Sequence, residues 1–383
     1  MEPNRPVPIV IVTTDSQICG TERMILALLG QLNRERFKPY LVAMKGPGDL
    51  IAGARSLDVD AVNLQMDARG KLQGWREWRR MLREAQPKLI HSFLFHSNLL
   101  ARWTKVLQPT LKVVSGIRTV YSVEEYGRLY GLLERWTHGL DSFFIANSEQ
   151  GRLSAINAMG LPQAKLRMVA NGIDIDPFNE PDYAIRQIIR SELGFSDDDF
   201  VIGVVAQLRP AKRHDLLLKA FSVARSQAPG LRLLIVGGGE CEQALRQQTS
   251  ELSLKDAVAF AGYRSDARRI LRGLDAFALP SDVEGIPVSV MEAMEAGLPV
   301  IATRVGGVPD LIEDGVSGLL VAPGDAQALS QQITRIASDG KLRSQMGAAA
   351  RERVVNEFSV QRMAQRFEAL YENALTVELP RTI

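Results

Sequence analysis

Apolar, β-branched runs of four to six residues recur along the chain, each separated from the next by a longer stretch with helical spacing. Runs this short, with little polar alternation, predict parallel strands covered by helices on both faces. In the first half they fall at residues 9–13, 40–44, 89–92, 112–115 and 142–146. The turn residues Asn171-Gly172-Ile173-Asp174, then Pro177 and Pro181, break the pattern and predict a junction within 171–182. The pattern restarts at 200–206, 231–236, 258–260, 276–279, 300–302 and 318–321. The fold class is therefore α/β, with two doubly wound domains at 1–172 and 173–383. A last helical stretch at 359–375 carries Met363, Phe367, Leu370 and Tyr371 at helical spacing, and is expected to pack back on the first domain.

Length and composition narrow the class without changing it. At 383 residues the chain suggests two domains, and two Rossmann-like domains facing each other place a ligand in a cleft at the carboxyl ends of their strands. With 46% hydrophobic and 23% charged residues it reads as a globular enzyme, not a disordered or fibrous chain. A net charge of +2 offers no global field for nucleic acid, so no nucleic-acid partner is expected. Cys19 and Cys241 show no CxxC or zinc spacing, which fits a reducing compartment. The polar start, residues 1–8, has no signal-length apolar stretch, and no run reaches about 18 apolar residues, so a cytoplasmic location is expected.

The most informative segment is Pro280-Ser281-Asp282-Val283-Glu284-Gly285-Ile286-Pro287, between an apolar strand and a helical pattern at 288–296. Pro287 suits the first helical turn, where its missing N–H costs nothing. The unpaired amides of that turn, with flexible Gly285, form an anion site suited to phosphate. Glu284 lies in the loop and Glu292 within the first two turns of the helix. Carboxylates facing a phosphate would repel it, so they suit sugar hydroxyls, one on a transferred sugar and one on a ribose. Spacing alone equally allows a solvated helix acid and an acid favoured by the helix dipole.

From Glu284 through Glu292-Ala293-Met294-Glu295-Ala296-Gly297-Leu298-Pro299-Val300-Ile301-Ala302-Thr303, the chain resembles the retaining glycosyltransferases of family 4 (group 1 glycosyltransferases), whose fold is GT-B. Seven residues separate the two glutamates, as in the family's pattern, and the resemblance covers nearly the whole chain. It implies two Rossmann-like domains facing across a cleft, with a nucleoside-diphosphate sugar as donor substrate and neither metal nor cofactor. It also implies that Glu284 binds the donor's sugar hydroxyls, that the backbone near Gly285, Ile286 and Pro287 binds its sugar and phosphates, and that Glu292 binds the ribose.

A second landmark is Val205-Ala206-Gln207-Leu208-Arg209-Pro210-Ala211-Lys212-Arg213-His214-Asp215. Lys212 supplies a fixed cation for the diphosphate leaving group, a role usually worth much of the catalysis. Gln207 stands where the family usually has Arg, and Arg209 is expected to reach the same phosphates. In the first domain, Ile18-Cys19-Gly20-Thr21-Glu22-Arg23 resembles the Gly-Gly-x-Glu loop, with Cys19 in place of the first glycine and Gly20 allowing close approach to the diphosphate. Cys19 is read as inert. His91-Ser92-Phe93-Leu94-Phe95-His96 resembles the segment near the acceptor; His91 is read as buried, and His96 as a site candidate without a base role. Arg118, in Ser115-Gly116-Ile117-Arg118-Thr119, stands where relatives carry a functional His, and is expected to contact sugar or phosphate. Gly306-Gly307-Val308-Pro309-Asp310 resembles a further loop of the family. Gly237, Tyr263 and Arg264 complete the expected donor site, the last two where relatives hold the base.

Other readings are weaker. Gly237-Gly238-Gly239 lacks the third glycine of a dinucleotide fingerprint, because residue 242 is Glu242. Asp58-Val59-Asp60 matches a metal-binding DxD outside its fold, and is taken as coincidence. A glycosidase would use two carboxylates but would not need the phosphate site. A sugar-nucleotide epimerase of the same architecture, or a catalytically weak sugar-nucleotide-binding protein, remains as an alternative. The basic segment Arg69, Lys71, Trp75, Arg76, Trp78, Arg79, Arg80 and Arg83, with Arg102, Trp103 and Lys105, suits an anionic membrane surface where a glycan or lipid-linked acceptor is met. A solvated helix face is the plainer reading of the same residues.

Overall fold

Nine residues of the first strand, β1 (Val7–Asp15), show why the apolar runs lack polar alternation. Ile9 and Ile11 enter one core cluster and Val10 and Val12 another, so both faces of the strand are buried. The computed structural model describes residues 5–118, 131–176 and 183–376. Pro177 and Pro181 of the expected junction, Thr119 and the first four residues of the expected polar start lie outside them. The chain divides into two compact units, one formed by the residues up to Asp174 together with those from Val360, the other by Ile175–Ser359.

In the first unit β1 is joined by β2 (Phe37–Lys45), β3 (Asp60–Asn63), β4 (Leu89–Phe93), β5 (Lys112–Ile117), β6 (Phe143–Ala146) and β7 (Leu166–Met168). They pair in parallel in the order β3-β2-β1-β4-β5-β6-β7. Five of the seven were expected from the pattern. The other two, β3 and β7, are the edges of the sheet, three or four residues long and only partly buried, so they carry no continuous apolar run. Helices Gly20–Gln31 and Asp49–Ser56 cover one face, and Lys71–Ala85 and Phe95–Leu107 the other.

The helix Val360–Thr376 closes the first face. Met363, Phe367 and Tyr371 lie in one core with Ile25 and Leu28, while Leu370 packs at its margin. The connection is fixed at both ends, since Val360 N donates to Ile173 O at 2.9 Å and Asn33 N donates to Glu368 Oε1 at 2.7 Å.

The second unit holds β8 (Phe200–Val205), β9 (Leu231–Val236), β10 (Val258–Gly262), β11 (Ala276–Leu279), β12 (Val300–Thr303) and β13 (Leu319–Val321). All six match apolar runs, and they pair in parallel in the order β10-β9-β8-β11-β12-β13. In each sheet the strand order reverses once, between β1 and β4 and between β8 and β11. Loops leave those neighbours in opposite directions and open a crevice at their carboxyl ends.

Candidate functional site

Two loops diverge from the β8/β11 switch point, and side chains tie them back together. Lys212 ends a short 3₁₀ turn after β8 (Pro210–Lys212), and its Nζ donates to Glu284 Oε1 in the loop after β11 at 2.6 Å. Ser281 Oγ donates to the same oxygen at 2.6 Å. Arg213, in a left-handed conformation at φ 51°, is held by Asp215 and Asp282, each with a nearest contact of 3.1 Å, and Asp282 N donates to Ala211 O at 2.8 Å. Glu284's side chain is only 7% exposed and Lys212's 27%, so solvent screens this pair much less than a surface pair.

A third loop, after β12, presses on the second. Gly307 N donates to Gly285 O at 2.7 Å, and Gly306 sits at φ +57° where a Cβ would lie 1.8 Å from Glu284 O. Only glycine fits there. The same logic explains Gly237 after β9, at φ +144°, where a Cβ would lie 1.9 Å from Ala206 O. Gly237 N donates to Gly262 O at 2.8 Å, so the glycine run serves backbone crossing between the ends of β8, β9 and β10.

The helix after the Glu284 loop is Val288–Glu295, with Pro287 as its N-cap in extended conformation. This corrects the expectation that Pro287 lies inside the first turn: it stands one residue earlier. No side chain caps this end, so the amides of its first turn keep their positive polarity for a ligand. Ile286 is buried and offers only its backbone, Gly285 is exposed, and Glu292 is half-buried on the second turn. Glu295, fully buried, is instead structural, pairing with Arg268 at 2.8 Å and accepting from Asp176 N at 3.0 Å.

The cations divide differently from the sequence reading. Lys212 is committed to Glu284, whereas Arg209 is exposed and has no ion-pair partner among the described residues. Arg264 makes two 2.7 Å bonds to Asp266 and draws that carboxyl down to about 2. Next to it Tyr263 is 80% exposed and presents an open ring. Burial holds the His214 imidazole at about 4, and neither ring nitrogen has a hydrogen-bond partner among the described residues.

In the first unit, a Cβ on Gly20 would meet nothing within 4 Å, so nothing in the chain itself requires glycine there. Glu22 shapes the loop from beneath, its Oε2 accepting from Cys19 N at 3.2 Å and its Oε1 from Thr13 Oγ1 at 3.4 Å, while burial raises its carboxyl. Arg118 is half-buried. Its Nη1 donates to Asn171 Oδ1 at 2.8 Å, its guanidinium lies over Phe93 at 4.8 Å, and burial lowers it to about 9. His91 is buried as expected, with Nδ1 2.7 Å from the Tyr371 hydroxyl. His96 is exposed at the start of Phe95–Leu107, on the sheet face opposite Gly20–Gln31, so it and Arg118 do not come together.

The expected membrane surface shrinks. Trp78 is fully buried and donates to Thr104 Oγ1 at 2.9 Å, and Arg102 is buried between Glu134 and Asp141 at 2.6 Å from each. Lys105 is buried too, leaving Lys71, Arg76, Arg79, Arg80 and Arg83 exposed on Lys71–Ala85. No described helix is long and apolar enough to cross a membrane. Among the described residues no group of three or more His, Cys, Asp and Glu is placed to hold a metal ion. The sequence reading placed Ser281, Asp282 and Gly306 in their loops but gave them no contact of their own. The contacts that span the chain, Asp282 with Arg213 and Gly306 against Glu284 O, arise only where the loops meet in space.

Two Rossmann-like units, each a parallel sheet with one reversal of strand order, define a two-domain α/β protein. Residues 185–353 match the family model described as glycosyl transferases group 1, and residues 18–177 match glycosyltransferase family 4. Anabaena HepE, solved in complex with UDP, superposes with a TM-score of 0.83 at 21% identity, covering 96% of this chain and all of that one, and shares the two-domain GT-B fold. The amylovoran biosynthesis glycosyltransferase AmsK of Erwinia amylovora is 33% identical over 210 residues, 53% of this chain and 49% of AmsK. The N-acetyl-alpha-D-glucosaminyl L-malate synthase of Bacillus anthracis is 28% identical over 214 residues, 56% of this chain and 55% of that protein. The chain thus spans about half the length of the curated relatives it matches. It belongs to the group 1 glycosyltransferases of GT-B fold.

Proposed function

We propose that the chain transfers a sugar from a nucleoside-diphosphate sugar to a glycan or lipid-linked acceptor, with retention of anomeric configuration and without a metal. The observation that carries this reading is the junction of three loops at the second unit's switch point, where Lys212–Glu284 stands beside the uncapped start of Val288–Glu295. Arg209 and the helix-start amides hold the diphosphate, Glu292 the ribose, and the open ring of Tyr263 the base. Lys212, oriented by Glu284, faces the leaving phosphate, while the remaining capacity of the Glu284 carboxylate accepts from a sugar hydroxyl. The acceptor oxygen bonds to the anomeric carbon as the carbon–phosphate-oxygen bond breaks. The acceptor's proton passes to that phosphate oxygen on the same face, and fixed positive charge stabilises the anion formed.

Names and ligands of similar proteins support the substrate class. HepE was solved with UDP and with UDP-glucose, and AmsK is named for amylovoran biosynthesis, which fits a role in surface polysaccharide assembly at the cytoplasmic side of a membrane. Incubation with a panel of sugar nucleotides and acceptors tests the reading. Free nucleoside diphosphate should appear only with acceptor present, and the product should keep the donor's anomeric configuration by NMR. Conversion of donor sugar with the diphosphate intact would indicate an epimerase, and an inverted product would overturn retention.

A further inference from the structure

A cavity of about 720 Å³ opens in the first unit at the carboxyl ends of its strands, on the face of helices Lys71–Ala85 and Phe95–Leu107. Its wall is apolar, formed by Met44, Met66, Leu72, Trp75 and Leu100. Leu72 is 68% exposed at the mouth, an apolar side chain without cover. The polar lining is sparse, with Lys45, Lys71, His96, Asp67 and Thr14. Thr14 Oγ1 is buried with no hydrogen-bond partner among the described residues, and Lys71 has no ion-pair partner among them. Lys45 is 3.9 Å from Asp15, a long surface pair worth little. Asp67 accepts from Gly46 N at 3.2 Å, which with Lys45 nearby keeps it ionised, so the lining carries one carboxylate against two ammonium groups. Burial, then Lys45 and Lys71, lower the His96 imidazole, which is what two ammonium groups sharing its space would do.

We infer that this cavity takes an acceptor in which an anionic group is joined to an apolar chain, the anion between Lys45 and Lys71 and the chain along Met44, Met66, Leu72, Trp75 and Leu100. This rests on the transferase reading for the word acceptor, but not for the binding itself. A neutral glycan fits poorly, because it presents many hydroxyls to a wall that offers one unpaired hydroxyl and mostly hydrocarbon and thioether surface. A bare phosphate leaves that wall exposed to water.

Octyl phosphate, octyl glucoside and inorganic phosphate, each monomeric, are titrated into the full chain and followed by calorimetry and by Trp75 fluorescence, assigned with Trp75→Phe. Octyl phosphate should bind at least about 10-fold tighter than either control, and Lys45→Gln/Lys71→Gln should erase that advantage. Equal binding of octyl glucoside, or an unchanged octyl phosphate affinity in the double variant, overturns the inference. Co-sedimentation with phosphatidylglycerol vesicles that the double variant loses identifies a bilayer source. Binding of octyl phosphate without vesicle capture identifies a soluble one, and either supports the cavity. A parallel UDP titration separates the two claims. UDP binding without octyl phosphate binding defeats this inference alone, and the reverse defeats the donor reading alone.

Discussion

Replacing Lys212 by Met removes the ammonium from a carboxylate that water barely reaches. Glu284 is left with the Ser281 hydroxyl at 2.6 Å as the charge-quenching contact seen in the structure. Stripping one partner from a fully buried pair costs about 3–5 kcal/mol, whereas an exposed pair is worth about 0.2–1 kcal/mol. With Glu284 7% and Lys212 27% exposed, the Lys212→Met cost belongs between these limits, at about 2 kcal/mol. Glu284→Gln should cost less, about 1 kcal/mol, because Lys212 can turn towards solvent. The double variant should then be less destabilised than the sum, with a coupling of about 1 kcal/mol or more. Urea denaturation of the wild type, both single variants and the double variant closes this cycle. In the transfer assay Lys212→Met should lower turnover by about 10²–10³-fold, the scale for losing one preorganised charge-stabilising group. Additivity within about 0.4 kcal/mol together with near-normal turnover would refute the reasoning.

Phe367→Ala empties a fully buried position where the last helix meets the first sheet and should cost about 3–5 kcal/mol, read as a lower denaturation midpoint. Gly306→Ala places a methyl against Glu284 O at a positive φ; donor affinity should fall at least about 10-fold with circular dichroism unchanged, and normal affinity would contradict the loop packing. His214 is held neutral with its pKa near 4, so the unfolded chain takes up a proton first as pH falls below about 6.5. Its contribution is complete above that pH and is lost towards pH 4, on the order of 3 kcal/mol in all; His214→Leu should flatten the wild type's acid slope over this window, and parallel stability curves would contradict the assignment.

What could be read from the chain follows from where the information lies. β8 and β11 are uninterrupted apolar runs because both of their faces are buried, and that pattern is local. The edge strands β3 and β7 bury too little to leave such a trace. The placement of Glu284 in a loop and Glu292 on the helix after it was legible because both lie in one local strand–loop–helix segment. The bond between Lys212 and Glu284 was not, since it spans 72 residues and exists only because β8 and β11 are neighbours in the sheet. Arg102 looks like a surface cation in sequence, and its burial is decided by distant partners, Glu134 and Asp141. Trp78 was readable after all. With Gly74, Met81, Leu82 and Ala85 it forms a stripe at helical spacing, which marks the inner face of an otherwise basic helix.

Calorimetric titration of UDP, GDP and ADP, each against its monophosphate, tests the donor site most directly. The account predicts that one nucleotide's diphosphate binds at least about 10-fold tighter than its monophosphate, and that Arg209→Ala and Lys212→Ala each remove most of that gain. Equal affinity for mono- and diphosphate in the wild type, or a gain that survives in both variants, would contradict it.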